Sequence, residues 1–224
     1  MPEMKVIARI RNAYDGKFGV PRQSGLVEQV VSEIVFEPEY RTAEALRGIE
    51  EFSHLWLIWA FDRAERSEWS PTVRPPRLGG NQRIGVFATR SPYRPNAIGL
   101  SCVRLAGVEK GKDGMVLRVA GADLMNGTPI YDIKPYLPYT DCRPEATGGF
   151  TDRTAKRTVE VVIPDEAARN MDGEELEALK AVLREDPRPA YQDDPERMYA
   201  FEFGGKHVEF RVDGGVLTVI SAGE

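Results

Sequence analysis

Cysteine and histidine are scarce, at two of each in 224 residues. Cys102 and Cys142 suit a pair of reduced thiols, the usual state in a cytoplasmic protein. His54 and His207 stand far apart and no paired-cysteine motif accompanies them, which argues against a structural zinc site; no metal is expected. No apolar run is long enough to span a membrane and no secretory leader is recognisable at the N-terminus, so a cytoplasmic protein with no membrane partner is expected. No Gly-x-Gly-x-x-Gly follows a strand pattern. Residues 107–112 imitate a phosphate loop, but three residues rather than four separate the glycines and Asp113 stands where a hydroxyl is needed, so a hairpin turn is the better reading.

One absence is local. Residues 69–108 contain no Asp, Glu or Lys, yet carry six arginines: Arg74, Arg77, Arg83, Arg90, Arg94 and Arg104. The whole chain has a net charge of −5, which weighs against nucleic acid. A local basic surface can still hold RNA or phosphate, because the local potential governs encounter. Within that stretch lies a break in regular structure. Ile84, Val86 and Ala88 alternate as in a strand; then Ser91-Pro92-Tyr93-Arg94-Pro95-Asn96 interrupts it. Two prolines three apart fix φ twice and remove two backbone donors. The result is a stiff loop presenting Arg90, Tyr93, Arg94 and Asn96, suited to a polar ligand. A solvated connection would use the same residues.

The chain in order reads as many strands and two helices. Strands are expected over 5–10, 26–36, 51–61, 98–105, 115–120, 130–134, 158–163, 198–203, 207–212 and 216–220. The run 51–61 is nearly all apolar, as for a strand buried on both faces. A short helix is expected over 38–48 and an amphipathic one over 172–184, with Asp172 at its start. Helix and strand do not alternate, which excludes a doubly wound sheet. The pattern predicts a mainly β protein: an all-β, barrel-like domain over residues 1–145 and a small α+β domain over 146–224. The second domain is expected to bury its own core, Leu176, Leu179 and Leu183 covering Phe201, Phe203, Val208, Phe210, Val212, Leu217 and Val219. On the strand at 130–134, Asp132 and Lys134 share a face, and Tyr136 and Tyr139 follow; a surface ion pair would look the same.

The stretches Gly85-Val-Phe-Ala-Thr-Arg-Ser-Pro-Tyr-Arg-Pro-Asn-Ala-Ile-Gly-Leu-Ser101 and Asn126-Gly-Thr-Pro-Ile-Tyr-Asp-Ile-Lys-Pro-Tyr-Leu-Pro-Tyr139 resemble the signatures of the TsaA-like, or TrmO, family. Pro21-Arg22-Gln23, Phe52-Ser-His-Leu-Trp56, the proline-rich 71–80 and Asp186-Pro-Arg-Pro-Ala-Tyr191 are similar too, in the same order along nearly the whole chain. The resemblance implies a homodimeric tRNA methyltransferase that uses S-adenosyl-L-methionine in an antiparallel β-barrel. The implied target is the exocyclic nitrogen of N6-threonylcarbamoyladenosine, beside the anticodon of threonine tRNA. A non-catalytic module binding S-adenosylmethionine or RNA is the alternative reading.

Carried over residue by residue, the resemblance assigns Pro21, Arg22, Gln23, Arg90, Leu100 and the turn Leu124, Met125, Asn126 and Gly127 to the cofactor. Asp62 and Arg63 join them by position, although bacterial relatives often carry His-Gln there. Methyl transfer from a sulfonium is an in-line displacement governed by positioning. Arg22 or Arg90 can clasp the cofactor carboxylate. Asp132 is the candidate proton acceptor, with Lys134 and Tyr136 beside it. Arg74, Arg77, Arg94, Arg188 and Tyr191 are the expected RNA contacts.

Overall fold

The computed structural model describes residues 3–64, 69–154, 158–188 and 194–223. In chain order the elements are β1 (Ala8–Arg11), β2 (Val31–Phe36), β3 (His54–Ala60), β4 (Thr72–Val73), β5 (Ile84–Gly85), β6 (Ile98–Gly111), β7 (Gly114–Ala120) and β8 (Pro129–Pro135). Then come α1 (Pro138–Asp141), β9 (Glu160–Val162), α2 (Asp165–Ala168), α3 (Gly173–Arg184), β10 (Tyr199–Phe203), β11 (Lys206–Asp213) and β12 (Val216–Gly223).

Six strands form one sheet in the order β1-β2-β7-β6-β3-β8, and β8 pairs back to β1, so the sheet closes on itself. Every pairing in it is antiparallel. Alternation does the folding: Leu55, Leu57 and Trp59 of β3 point inward with Ile34, Val103, Leu117, Val119 and Ile130. Each such side chain contributes roughly 1.5–3 kcal/mol on burial. The alternate residues of β3, His54, Trp56 and Ile58, are only half-buried. The apolar run at 51–61 therefore does not mark a strand enclosed on both faces. Its outer face is apolar too, and Ile58 stands opposite Leu100, itself 55% exposed.

The second sheet runs β10-β11-β12-β9, with β9 parallel to β12. Helix α3 begins with a reciprocal cap: Asp172 Oδ1 accepts the Glu175 N–H at 2.8 Å, and Glu175 Oε2 accepts the Asp172 N–H at 3.2 Å. Leu179, Val182 and Leu183 then bury against the sheet.

Three expectations are corrected here. The strand expected over 84–88 is two residues of β5 and a 3-10 turn, Val86–Ala88, because only Thr72–Val73 is there to pair with it. The helix expected over 38–48 is two 3-10 turns, Pro38–Tyr40 and Ala43–Leu46. Neither has a side-chain cap, and pieces this short cannot offset helix nucleation. Most consequential, the C-terminal sheet does not complete its core alone. Tyr14, Val27 and Val30, with Phe18, Val20 and Leu26, leave the first half of the chain and pack into it. Tyr14 bridges to Phe203, and Gly204 N–H donates to Ala13 O at 2.9 Å. The strand expected over 26–36 consequently starts only at Val31.

Candidate active site

One end of the closed sheet gathers four connections: residues 17–25, 61–64, 89–97 and 121–128. The 89–97 loop is stiff because its polar side chains stand in for the donors its prolines lack. Thr89 Oγ1 donates to Val86 O at 2.8 Å and accepts the Ser91 N–H at 3.3 Å; Ser91 Oγ accepts the Tyr93 N–H at 3.2 Å. Arg94 Nη1 returns to Thr89 O at 3.1 Å. Arg90 Nη1 crosses to Gln23 Oε1 at 2.5 Å, and Arg22 Nη2 donates to the carbonyl of Arg188 at 2.9 Å. The loop at 20–25 is thereby fastened on one side to the 89–97 loop and on the other to the C-terminal domain.

These loops enclose a cavity of about 740 Å³, within the range of small-ligand sites. Lys17, Arg22, Arg63, Arg90 and Arg94 line it together with Asp62, Asp123 and the apolar Phe61, Ile98, Leu100 and Met125. A second cavity of about 1300 Å³ adjoins it, sharing Arg22, Gln23, Thr89, Arg90, Pro92 and Tyr93. Arg74, Arg77, Arg83 and Arg153 face this larger space, with no carboxylate among its described lining residues. Phe87 lies at its side, 73% exposed, with Trp69 stacked on it at 6.4 Å.

Asp123 is half-buried at the smaller cavity. Trp59 Nε1 donates to Ser101 Oγ at 2.9 Å, and Ser101 Oγ donates to Asp123 Oδ1 at 2.5 Å. Burial pushes the Asp123 carboxyl up from its ordinary range; the Ser101 hydroxyl and the Arg90 charge act the other way. Tyr14 is buried with its hydroxyl unpaired, and burial, then the Asp123 charge, raises its pKa. The Trp59 indole lies across Gly99, where an added Cβ would meet its Cε2 at 2.2 Å. Gly99→Ala is expected to displace the indole, break the bond to Ser101, destabilise the fold by about 1–3 kcal/mol and weaken cofactor binding; urea unfolding and calorimetry check both.

Residues 9–142 match the family model for the tRNA-methyltransferase O N-terminal domain, and residues 156–223 that for the TrmO C-terminal domain. The chain belongs to the tRNA-methyltransferase O family. A tRNA (adenine(37)-N6)-methyltransferase of Escherichia coli K12 is 41% identical over 218 residues, 94% of this chain and 93% of the relative. One of that name from Eikenella corrodens is 43% identical over 169 residues, 75% and 95% of the two chains. A Pseudomonas aeruginosa protein named as a candidate S-adenosylmethionine-dependent methyltransferase is 41% identical over 201 residues, 86% and 85% of the two. The crystal structure of TrmO from Pseudomonas aeruginosa matches with a TM-score of 0.80 at 31% identity, over 100% of this chain and 98% of that one.

Within this family fold the expected residues divide. Pro21, Arg22, Gln23, Asp62, Arg63, Arg90, Leu100 and Met125 all line the smaller cavity. Leu124, Asn126 and Gly127 do not. Leu124 is a fully buried core residue, and the N–H groups of Asn126 and Gly127 are held by Tyr14 O and Ile10 O, both at 2.8 Å. The turn is shaped by Gly127 at φ +82°. Asp132, Lys134 and Tyr136 line neither cavity. Asp132 is ion-paired to Lys134 at 2.8 Å on an exposed face and stands two strands from Leu100, roughly 10 Å away. Tyr136 packs on Trp56 with ring centroids 5.7 Å apart.

Of the expected RNA contacts, Arg74 and Arg77 face the larger cavity, whereas Arg94 lines the smaller one. Arg188 is only 5% exposed and clamps Asp186 through two bonds of 2.8 and 3.0 Å, so it is placed in the interior and not on a surface that RNA could reach. Tyr191 lies outside the described residues. Sequence reasoning missed Asp123, Lys17 and Trp59. Asp123 directly precedes the 124–127 turn, but only the pairing of β6 with β7, Arg104 opposite Ala120, brings it beside Ser101.

Proposed function

We propose that the protein is an S-adenosylmethionine-dependent methyltransferase acting on the N6 nitrogen of adenine 37 in tRNA. The observation that carries this reading is the pair of joined cavities, one of small-molecule size with mixed charge, the other larger and lined by arginines with no carboxylate among its described residues. The finer reading is that the substrate is N6-threonylcarbamoyladenosine in threonine tRNA and that the enzyme is a cytoplasmic homodimer with its site near the subunit interface. The apolar outer face carrying Ile58, Ile98 and Leu100, beside the smaller cavity, supports the dimer.

The smaller cavity fits the cofactor. Guanidinium groups already oriented by backbone carbonyls can hold a carboxylate, and Phe61, Leu100 and Met125 supply an apolar wall. The cofactor supplies a methyl group on a sulfonium. Arg22 and Arg90 stand in both cavities, so they can hold the donor and the RNA in one register, which is the positioning an in-line transfer requires. Arg74, Arg77 and Arg83 neutralise phosphates, and Phe87 offers a face for a base.

Nucleoside mass spectrometry of tRNA incubated with the protein and S-adenosylmethionine tests the reading: a methyl group gained on the modified adenine 37 supports it, and unchanged nucleosides overturn it. Arg74→Glu with Arg77→Glu is expected to weaken tRNA binding at least about tenfold and to flatten its salt dependence by roughly one to two units of slope. Cofactor affinity, measured by calorimetry, should stay at the wild-type value.

A further inference from the structure

The proton-accepting carboxylate expected from the sequence lies on an exposed strand, whereas another carboxylate faces the cavity with no role assigned. Asp123 is held on one oxygen by Ser101. Trp59 Nε1 can only donate, so it takes a lone pair of Ser101 Oγ and leaves the Ser101 proton to Asp123. The relay therefore favours the ionised carboxylate in a place where burial opposes it. An asparagine would satisfy Ser101 equally well without a buried charge, so the hydrogen bonds alone do not account for an acid here. Among the described residues five cationic side chains line the same cavity, and the other carboxylate among them, Asp62, is exposed. A wall of this kind attracts a carboxylate but repels any cation the same ligand carries.

We propose that Asp123 is the counter-ion for a positively charged centre of the methyl donor, a specificity-determining contact that rests on the methyl-transfer reading above. S-adenosylmethionine has two such centres, the sulfonium and the α-ammonium. S-adenosylhomocysteine keeps only the ammonium, and 5′-methylthioadenosine keeps neither. Calorimetry with these three ligands on the wild-type protein and on Asp123→Asn separates the possibilities. The substitution should lower S-adenosylmethionine affinity at least about tenfold and 5′-methylthioadenosine affinity less than about threefold. Loss of S-adenosylhomocysteine affinity in step with S-adenosylmethionine places the carboxylate at the ammonium; retention places it at the sulfonium. Both support the proposal. Equal loss for all three ligands, or no loss for any, overturns it. Asp123→Ser, which removes charge and bulk together, is the second variant and should give the same ratio. Failure of the wild-type protein to bind S-adenosylmethionine would instead defeat the methyl-transfer reading itself.

Discussion

A chain ending at Ile163 is expected to lose both its fold and its cofactor. The reason lies in residues 13–30, which leave β1, cross to the C-terminal sheet and return to β2. Tyr14 packs edge-on to Phe203 at 6.1 Å, and Phe18 meets Phe201 at 5.9 Å and Phe210 at 6.2 Å. Tyr14, Val27 and Val30 are at most 4% exposed. At roughly 1.5–3 kcal/mol each, those three alone represent about 5–9 kcal/mol, a large share of the 5–15 kcal/mol by which a typical domain is stable. The cut also removes the carbonyls of Asp186 and Arg188 that hold Arg22. The truncated chain should show no cooperative urea transition and no calorimetric binding of S-adenosylmethionine. A soluble product with wild-type affinity would show that residues 13–30 hold their shape without the second sheet.

The second large effect is expected at Arg188. This guanidinium and the Asp186 carboxylate are 5% and 4% exposed and joined by two short bonds. Arg188→Met strands a buried carboxylate, which costs about 3–5 kcal/mol and lowers the melting temperature by about 6–20 °C. Adding Asp186→Asn removes the stranded charge, so the double variant should recover most of the loss. The contacts to Arg22 use backbone carbonyls and survive both changes. A double variant no more stable than Arg188→Met would mean that Arg188 acts through packing, not through its charge. Either way the position is read by stability, since a guanidinium enclosed by its own chain has no face left for a phosphate.

The sequence made the closed sheet legible because alternation is a local signal: Leu55, Leu57 and Trp59 advertise one inward face, and Asp172 with Glu175 advertise a helix start. It made the site loops legible because Pro92 and Pro95 impose stiffness wherever they occur. It did not make legible where Leu26, Val27 and Val30 would bury. Their apolar pattern continues that of β2, and nothing local says that they bury in the same core as Phe201 and Phe210, more than 170 positions away. The same holds at the site. Asp132 and Asp123 are acids nine positions apart, and only sheet register decides that one faces solvent beside Lys134 while the other reaches Ser101. Arg188, flanked by prolines in a polar segment, reads as a surface group; its burial follows from pairing with Asp186, a tertiary fact with a two-residue span.

The crossing of residues 13–30 also sets an order of events at the ribosome. At about 5–20 residues per second, roughly 10–40 s separate the synthesis of Tyr14 from that of its partner Phe203. Even once β1 to β8 are complete in sequence, at Pro135, the segment between the first two strands has no surface to rest on. Its aromatic and aliphatic side chains face whatever surrounds the ribosome for as long as translation takes. Closing so long a loop is a late and entropically costly step. The nascent chain therefore carries an exposed sticky segment at its beginning until nearly its last strand is made, and holdase chaperones would find it there.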